Sequence, residues 1–217
     1  MTKRERIKRI LAALDDVYGN IACYLNYDPE KNWQLLLATI LSAQCTDDRV
    51  NIVTASLFQK YQTLQDFAAA PIEELEDAVR TTGFYRNKAL ALHGCARILL
   101  HEHGGKLPSD IDSLTAMPGV GRKTANVVRG NIFGIPSIVV DTHVKRLTNR
   151  LGIASETDPE KLEFILMKTL PRSHWIRYNT QLIAHGRAVC KARAAACASC
   201  FLADLCKQHI EVPSSKA

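Results

Sequence analysis

The chain has 217 residues, a formal net charge of +6 and an isoelectric point of about 9.0. With 47% hydrophobic and 23% charged residues it has the composition of a folded globular protein, and we find no internal repeat or low-complexity linker. No stretch is apolar over the length that crosses a bilayer, and no signal-peptide run follows the basic start at 1–9. The positive net charge is compatible with a polyanionic partner but does not establish one.

Helical periodicity runs along most of the chain. The predicted helices cover 7–14, 33–41, 50–58, a segment opening at Pro71, 87–101, a short segment capped by Ser109, 124–133, 142–151, 159–170 with Asp158 as its cap, and 175–189. The β-like run at 136–140 has no partner run nearby, so we interpret it as an extended connector. The tail after Glu211 is predicted to be disordered. The predicted fold class is therefore all-α.

A glycine-containing turn, Pro118-Gly119-Val120-Gly121, separates two of the predicted helices. Glycine tolerates positive φ and lets the backbone approach a ligand closely. The first N–H groups of the following helix favour an anion, and a DNA phosphate suits such a site. The same string also occurs at ordinary corners between helices. The turn alone therefore leaves both interpretations open.

Lys123 and Asp141 are the candidate chemical groups. Lys123 falls in the first turn of a helix, where the dipole opposes a cation and so favours the neutral amine, the nucleophilic form. A phosphate-binding or solvated lysine is the alternative. Asp141 precedes the predicted helix at Thr142, where an isolated aspartate is normally an N-cap. It is also the candidate partner of Lys123.

Four cysteines lie close together near the C-terminus. In a chain without a secretory segment, clustered cysteines indicate a metal centre more often than disulfides. Their spacing does not match the two close pairs usual for zinc modules or the ferredoxin pattern, and zinc and iron–sulfur both stay open. The four are Cys190, Cys197, Cys200 and Cys206; the others, Cys23, Cys45 and Cys95, are interpreted as packed thiols.

Several strings together resemble the bacterial endonuclease III family, helix-hairpin-helix DNA glycosylases with AP-lyase activity. Each string alone is weak to moderate evidence, but they occur in the family's order over about residues 1–210. The strings are Leu41-Ser42-Ala43-Gln44, the segment 117–125 (MPGVGRKTA), Val140-Asp141-Thr142-His143 and the four cysteines.

The resemblance implies two helical domains flanking a DNA-binding cleft. One is a six-helix barrel over 24–135, with the helix-hairpin-helix at about 110–133. The other joins 1–23 to 136–217 and holds a [4Fe-4S] cluster on the four cysteines of the loop 190–206. The implied partner is double-stranded DNA containing damaged bases or abasic sites, bound by a monomer that is cytoplasmic, nucleoid-associated and free of the membrane.

The implied chemistry is the excision of oxidised pyrimidines. Lys123 would attack the sugar of a flipped nucleotide and form a Schiff base, and β-elimination would then nick the strand. Asp141 would deprotonate the lysine or stabilise positive charge on the sugar. Gln44 matches the residue that fills the gap left by the flipped nucleotide. Phe84 replaces the leucine of well-known members as an apolar wedge.

Further residues carry over from the family with simpler roles. Asp47 matches a polar residue of the substrate pocket. His143 would contact DNA or the catalytic aspartate, or be a structural histidine. The other implied DNA contacts are Gly119, Val120, Gly121, Arg122, Arg187 and Lys191.

Three alternative functions stay open. An AP lyase with little glycosylase activity would keep the same catalytic residues, so the motifs do not separate it. The adenine-specific mismatch glycosylase of the same superfamily lacks a lysine at the position of Lys123 and is monofunctional. A non-catalytic DNA-binding or redox-sensing protein would need neither Lys123 nor Asp141.

Overall fold

The computed structural model describes residues 1–211, which form twelve α-helices and no β-strand. The predicted all-α class is confirmed over these residues, and none of their helices is long and apolar enough to cross a membrane. The predicted disordered tail lies outside the described residues. The helices are α1 (Lys3–Tyr18), α2 (Trp33–Leu41), α3 (Asp47–Lys60), α4 (Leu64–Ala69), α5 (Ile72–Val79), α6 (Tyr85–His103), α7 (Ile111–Thr115), α8 (Arg122–Phe133), α9 (Thr142–Arg150), α10 (Pro159–Thr169), α11 (Trp175–Ala188) and α12 (Lys207–Glu211).

The chain divides into two compact units. The first, called the central unit, is Cys23–Ile135 and contains α2 to α8. The second, called the terminal unit, joins Met1–Ala22 to Pro136–Ala217 and contains α1 and α9 to α12. The segment at 136–140 forms neither helix nor strand, which fits its predicted role as a connector. Lys123 belongs to the central unit and Asp141 to the terminal unit.

Helix α2 lies at the centre of the central unit. All nine of its residues are buried, as expected for a helix that is apolar on every side. It packs against α3, α6 and α8. Edge-to-face contacts join Trp33, Phe58 and Phe67 at ring distances of 5.7, 5.9 and 6.3 Å. Because α2 ends at Leu41, this buried helix fixes the base of the loop that carries Gln44.

Helix α6 is longer than the predicted 87–101. It begins directly after Phe84, which is its N-cap in the left-handed conformation, and ends before Gly104, a left-handed C-cap. It packs against α4 and α5. Helix α4 was not predicted, although a capping box between Thr63 and Asp66 marks its start.

Two predicted helix starts can be compared with the structure. Asp158 caps α10 as predicted, accepting a hydrogen bond from the Lys161 backbone N at 2.8 Å. The cap predicted at Ser109 is wrong, because α7 begins at Ile111 and the N-cap position falls on Asp110. The Asp110 carboxylate accepts from the Ser113 backbone N at 2.7 Å.

The core of the terminal unit is built from α1, α9, α10 and α11. One face of α1 is buried, and the phenol of the buried Tyr178 lies 3.0 Å from the Thr148 hydroxyl. Leu202 and Leu205, which stand between and beside the last cysteines, are buried in the same core. The cysteine loop is therefore fastened to a packed interior.

Candidate active site and cysteine loop

The connection between α7 and α8 is a tight β-turn. The Val120 backbone N donates to the Met117 carbonyl at 3.2 Å, and Gly119 at the third position has a φ of +74°. A Cβ on Gly119 would lie 2.8 Å from the Cβ of Ala91. Backbone conformation and packing therefore both require glycine at this position. The side chain of Val120 is buried and its N–H is used within the turn, so Val120 stabilises the hairpin itself.

The turn is seated on α6 by a close backbone approach. A Cβ on Gly94 would lie 2.7 Å from Pro118 Cγ. The neighbouring thiol of Cys95 donates to the Pro118 carbonyl at 3.3 Å, and burial raises the pKa of Cys95 to about 12. Cys95 is thus a packed thiol that acts as a hydrogen-bond donor. The need for glycine at position 94 was not predicted, because it comes from Pro118, a residue outside α6.

Helix α8 opens without a side-chain cap. Its N-cap is Gly121, which has a φ of −89°, and the space where a Cβ would point holds no atom within 4 Å. Lys123 is the second residue of α8 and is exposed, whereas Thr124 and Ala125 are buried and fix the rotation of the helix. Together the helix dipole and the lysine make this end attractive to an anion.

The fold brings Cys23 near two residues that are distant in sequence, Asp47 and Lys123. Burial raises the pKa of the Cys23 thiol; the charge of Asp47 raises it further and the charge of Lys123 lowers it. Asp47 is the first residue of α3, after the N-cap Thr46. Sequence analysis treated Cys23 only as a packed thiol, because its local sequence carries no sign of these tertiary neighbours.

Gln44 and Phe84 share an unusual backbone conformation. Their φ values are +52° and +50°, and among residues 1–211 only Ala194 is a further non-glycine residue with positive φ. This region costs an L-residue about 1–2 kcal/mol. Both side chains are exposed, and Phe84 is 62% exposed despite its large apolar ring. Two loops of the central unit thus present side chains to solvent from a strained backbone.

Both carboxylate oxygens of Asp141 accept hydrogen bonds. Oδ1 accepts from the Val144 backbone N at 2.8 Å, which confirms the predicted N-cap of α9. Oδ2 accepts from Asn179 Nδ2 at 3.3 Å, and the same amide nitrogen lies 3.4 Å from the Val139 carbonyl. Asn179, on α11, was missed by the sequence analysis. These contacts fix the orientation of the Asp141 carboxylate.

Helix α9 also contacts the cysteine loop. Arg146 Nη2 lies 3.2 Å from His143 Nδ1 and donates to the Cys190 carbonyl at 3.0 Å. Gly186 on α11 lies so close to His143 that a Cβ there would clash with its ring. His143 is therefore a tightly packed residue of the terminal unit. A single helix carries Asp141 at its start and is bonded to the loop farther along.

The four cysteines line one cavity, together with Arg150 and His185. Burial raises the pKa of Cys200, and the charges of the other three thiols raise it further. Arg150 Nη1 donates to Cys190 Sγ at 3.4 Å, and His185 Nε2 lies 3.5 Å from Cys200 Sγ. The predicted clustering of the four thiols is thus present in the fold. Within residues 1–211 no set of three or more His, Cys, Asp or Glu side chains is spaced to hold a single metal ion.

Arg150 also shapes the backbone of the loop. Its Nη1 donates to the Lys191 carbonyl at 2.7 Å and its Nη2 to the Ala192 carbonyl at 2.9 Å. The side chains of Arg187 and Lys191 are exposed, as a phosphate contact would require. Arg122, at the start of α8, is partly buried.

Comparison with known proteins identifies the family. A family model described as "HhH-GPD superfamily base excision DNA repair protein" matches residues 37–172. Endonuclease III of Synechocystis sp. is 46% identical over 206 residues, which cover 94% of this chain and 93% of that protein. Endonuclease III of Bacillus subtilis is 41% identical over 209 residues, 96% of this chain and 94% of that protein. A trapped endonuclease III–DNA covalent intermediate has a TM-score of 0.90 at 40% identity, over 97% of this chain and 99% of that chain. The chain therefore belongs to the endonuclease III family of the HhH-GPD superfamily.

Proposed function

We propose that this chain is a base-excision-repair DNA glycosylase that removes oxidised pyrimidines and nicks the strand at the resulting abasic site. The observation that carries the proposal is the placement of Lys123. Its amine is exposed in the first turn of α8, immediately after the hairpin, in a chain similar to an endonuclease III that was solved as a covalent intermediate with DNA. An exposed amine at a phosphate-binding helix end suits Schiff-base chemistry on DNA.

DNA binding begins at the hairpin and α8. The N-terminal pole of α8 has no side-chain cap, and Gly121 leaves room for a phosphate to approach the backbone. Arg187 and Lys191 would contact phosphates from the terminal unit. Such contacts carry no sequence information, so the affinity is sequence-independent and falls steeply with salt.

The damaged nucleotide is then extruded from the stack. The exposed ring of Phe84 acts as an apolar wedge between base steps, and Gln44 fills the space that the nucleotide leaves. Asp47 contributes to the pocket that receives the base, which agrees with the action of its charge on Cys23, a thiol on which the charge of Lys123 also acts.

Lys123 supplies the nucleophile. Its neutral Nζ forms a bond to C1′ while the C1′–N bond breaks, and the base leaves with the electron pair and takes up a proton. Nζ is then cationic and carries two protons; it gives up one of them, which restores its lone pair. That lone pair forms the C=N bond as the sugar ring opens at O4′, and O4′ takes up a proton from solvent. Loss of a C2′ proton expels the 3′ phosphate, and water releases Lys123 from the nicked product.

Asp141 acts as a fixed negative charge in this proposal. Hydrogen bonds from the Val144 backbone N and from Asn179 hold both oxygens of the carboxylate in one orientation. A charge fixed in this way is suited to stabilise positive charge on the sugar ring. Deprotonation of Lys123 is the second role that a carboxylate offers here.

The four cysteines are proposed to hold a [4Fe-4S] cluster. The four cysteines line one cavity, and four cysteine thiolates are the ligand set of a [4Fe-4S] cluster. When bound, the cluster supplies iron–thiolate bonds that cross-link the loop. Arg150 beside Cys190 offsets the negative charge of the thiolates.

Borohydride trapping tests the proposal. Cluster-loaded wild type is expected to form a covalent adduct with duplexes that carry an abasic site or thymine glycol, and Lys123→Ala should form neither. Lys106→Ala, a change at an exposed lysine of the same unit, is the matched control and should trap normally. An adduct on the abasic duplex alone would move the protein to the AP-lyase alternative. No adduct on either duplex would contradict the Schiff-base mechanism.

A further inference from the structure

Lys88 is a buried lysine in the central unit. It is 5% exposed and is the only lysine among the buried residues of the described chain. Lysine is almost never buried unless its charge is compensated. The Lys88 ammonium donates to the carbonyl of Leu41 at 2.8 Å and to the carbonyl of Thr82 at 2.7 Å. Hydrogen bonds to two backbone carbonyls therefore stabilise the buried ammonium.

These two carbonyls stand at the bases of the two loops described above. Leu41 is the last residue of α2, three residues before Gln44. Thr82 ends a short 3-10 turn, two residues before Phe84. The backbone N of Lys88 also donates to the carbonyl of Phe84 at 3.1 Å. One side chain thus joins the segments that lead into both strained, exposed residues.

The chemistry of the contact favours a mechanical role over a catalytic one. The C-terminal end of a helix carries partial negative charge, so the ammonium is stabilised at the end of α2. An amine that is buried and already bonded to two carbonyls is poorly placed to attack DNA. Removing it would leave two buried carbonyls without this donor, which is costly enough to let both loops relax.

We infer that Lys88 is a positioning residue that couples the Gln44 loop to the Phe84 loop, so that both side chains enter the lesion site as one unit. The inference rests on the proposed function, because insertion by Gln44 and Phe84 belongs to that proposal. It assigns Lys88 no contact with DNA. Its predicted effect is on the selectivity for lesions rather than on general DNA affinity.

The test is lesion selectivity in Lys88→Met, which keeps an unbranched apolar stem as far as Cε and removes the ammonium. Affinity is measured for a duplex containing tetrahydrofuran, a stable abasic analogue, and for the undamaged duplex. We expect about tenfold to hundredfold weaker binding of the tetrahydrofuran duplex, with undamaged DNA changed by less than about twofold. Lys106→Met removes a charge from an exposed position of the same unit and should leave both affinities unchanged.

A double-mutant comparison separates coupling from general damage. In a Gln44→Ala, Phe84→Ala background, Lys88→Met should cause no further loss of selectivity, because the side chains it positions are absent. An additive loss, or an equal loss on both duplexes, would overturn the inference. If Lys88→Met folds poorly, Lys88→Gln is measured instead. The ratio of the two affinities cancels the inactive fraction in either variant.

Trapping of wild type on an abasic duplex distinguishes the two levels of the argument. If wild type does not trap, the proposed function fails and takes this inference with it. If wild type traps but Lys88→Met and Lys88→Gln keep full selectivity, only the positioning role of Lys88 is refuted.

Discussion

The hairpin offers a matched pair of glycine substitutions, Gly119→Ala and Gly121→Ala. Gly119 has a φ of +74°, and a Cβ there would lie 2.8 Å from Ala91 Cβ. Gly121 has a φ of −89° and open space where the Cβ would stand. The two glycines are two residues apart in the same connection between helices. The difference in stability between the two variants therefore isolates the effect of backbone conformation and packing.

The expected destabilisation follows from these two features. The left-handed conformation costs alanine about 1–2 kcal/mol, and overpacking against Ala91 adds about 1–3 kcal/mol. A total of about 2–5 kcal/mol lowers the Tm of a chain of this size by about 4–20 °C. For Gly121→Ala, the poorer N-cap and the stiffer unfolded chain nearly cancel, which leaves the stability within about 1 kcal/mol.

Thermal unfolding followed by far-ultraviolet circular dichroism measures both variants in the cluster-loaded protein. Gly121→Ala should also bind undamaged DNA more weakly despite its unchanged stability, because its methyl group occupies the path of the phosphate. Equal Tm values for the two variants would refute our account of the turn. Full DNA affinity in Gly121→Ala would refute the phosphate site at α8.

Three further predictions concern the terminal unit. Asp141→Asn keeps an oxygen that can cap α9 but loses its charge, so the single-turnover rate on thymine glycol should fall by about 10²–10³ with little change in Tm; an unchanged rate would exclude the charge from catalysis. Cys197→Ser should lose iron and the visible absorbance of the cluster together, and full iron content in this variant would contradict the cysteine assignment. Burial and Arg177 lower the pKa of His174 below its ordinary 6.5. The unfolded chain therefore binds the proton at a higher pH than the folded chain, and the free energy of unfolding decreases as the pH falls below 6.5. Urea unfolding should show a smaller decrease in that free energy for His174→Asn than for wild type over the same pH range.

Much of the fold follows from local signals in the sequence. The apolar run at 33–41 predicts a buried helix, and every residue of α2 is buried. Asp158 and Pro159 mark the start of α10 because capping and the fixed φ of proline act within a few residues. The same local chemistry places Lys123 in the first turn of α8 and Asp141 at the N-cap of α9.

The features that the sequence analysis missed depend on contacts between distant elements. In the sequence Gly94 is an ordinary glycine within a helix, and only the packing of Pro118 against it shows that a side chain would not fit. The role of Asn179 is apparent only from its hydrogen bond to the Asp141 carboxylate. The role of Lys88 is apparent only from its hydrogen bonds to the carbonyls of two other segments. The error at Ser109 arose because Ser109 and Asp110 are adjacent and both residue types cap helices, so the local sequence did not decide between them.

The most direct test of the account is to locate the covalent bond itself. Wild type is reduced with borohydride on an abasic duplex, the DNA is digested, and the peptides are sequenced by mass spectrometry. The account predicts that the sugar remnant is attached to Lys123 Nζ. A remnant on another lysine or on the N-terminal amine, with Lys123 unmodified, would contradict the central claim.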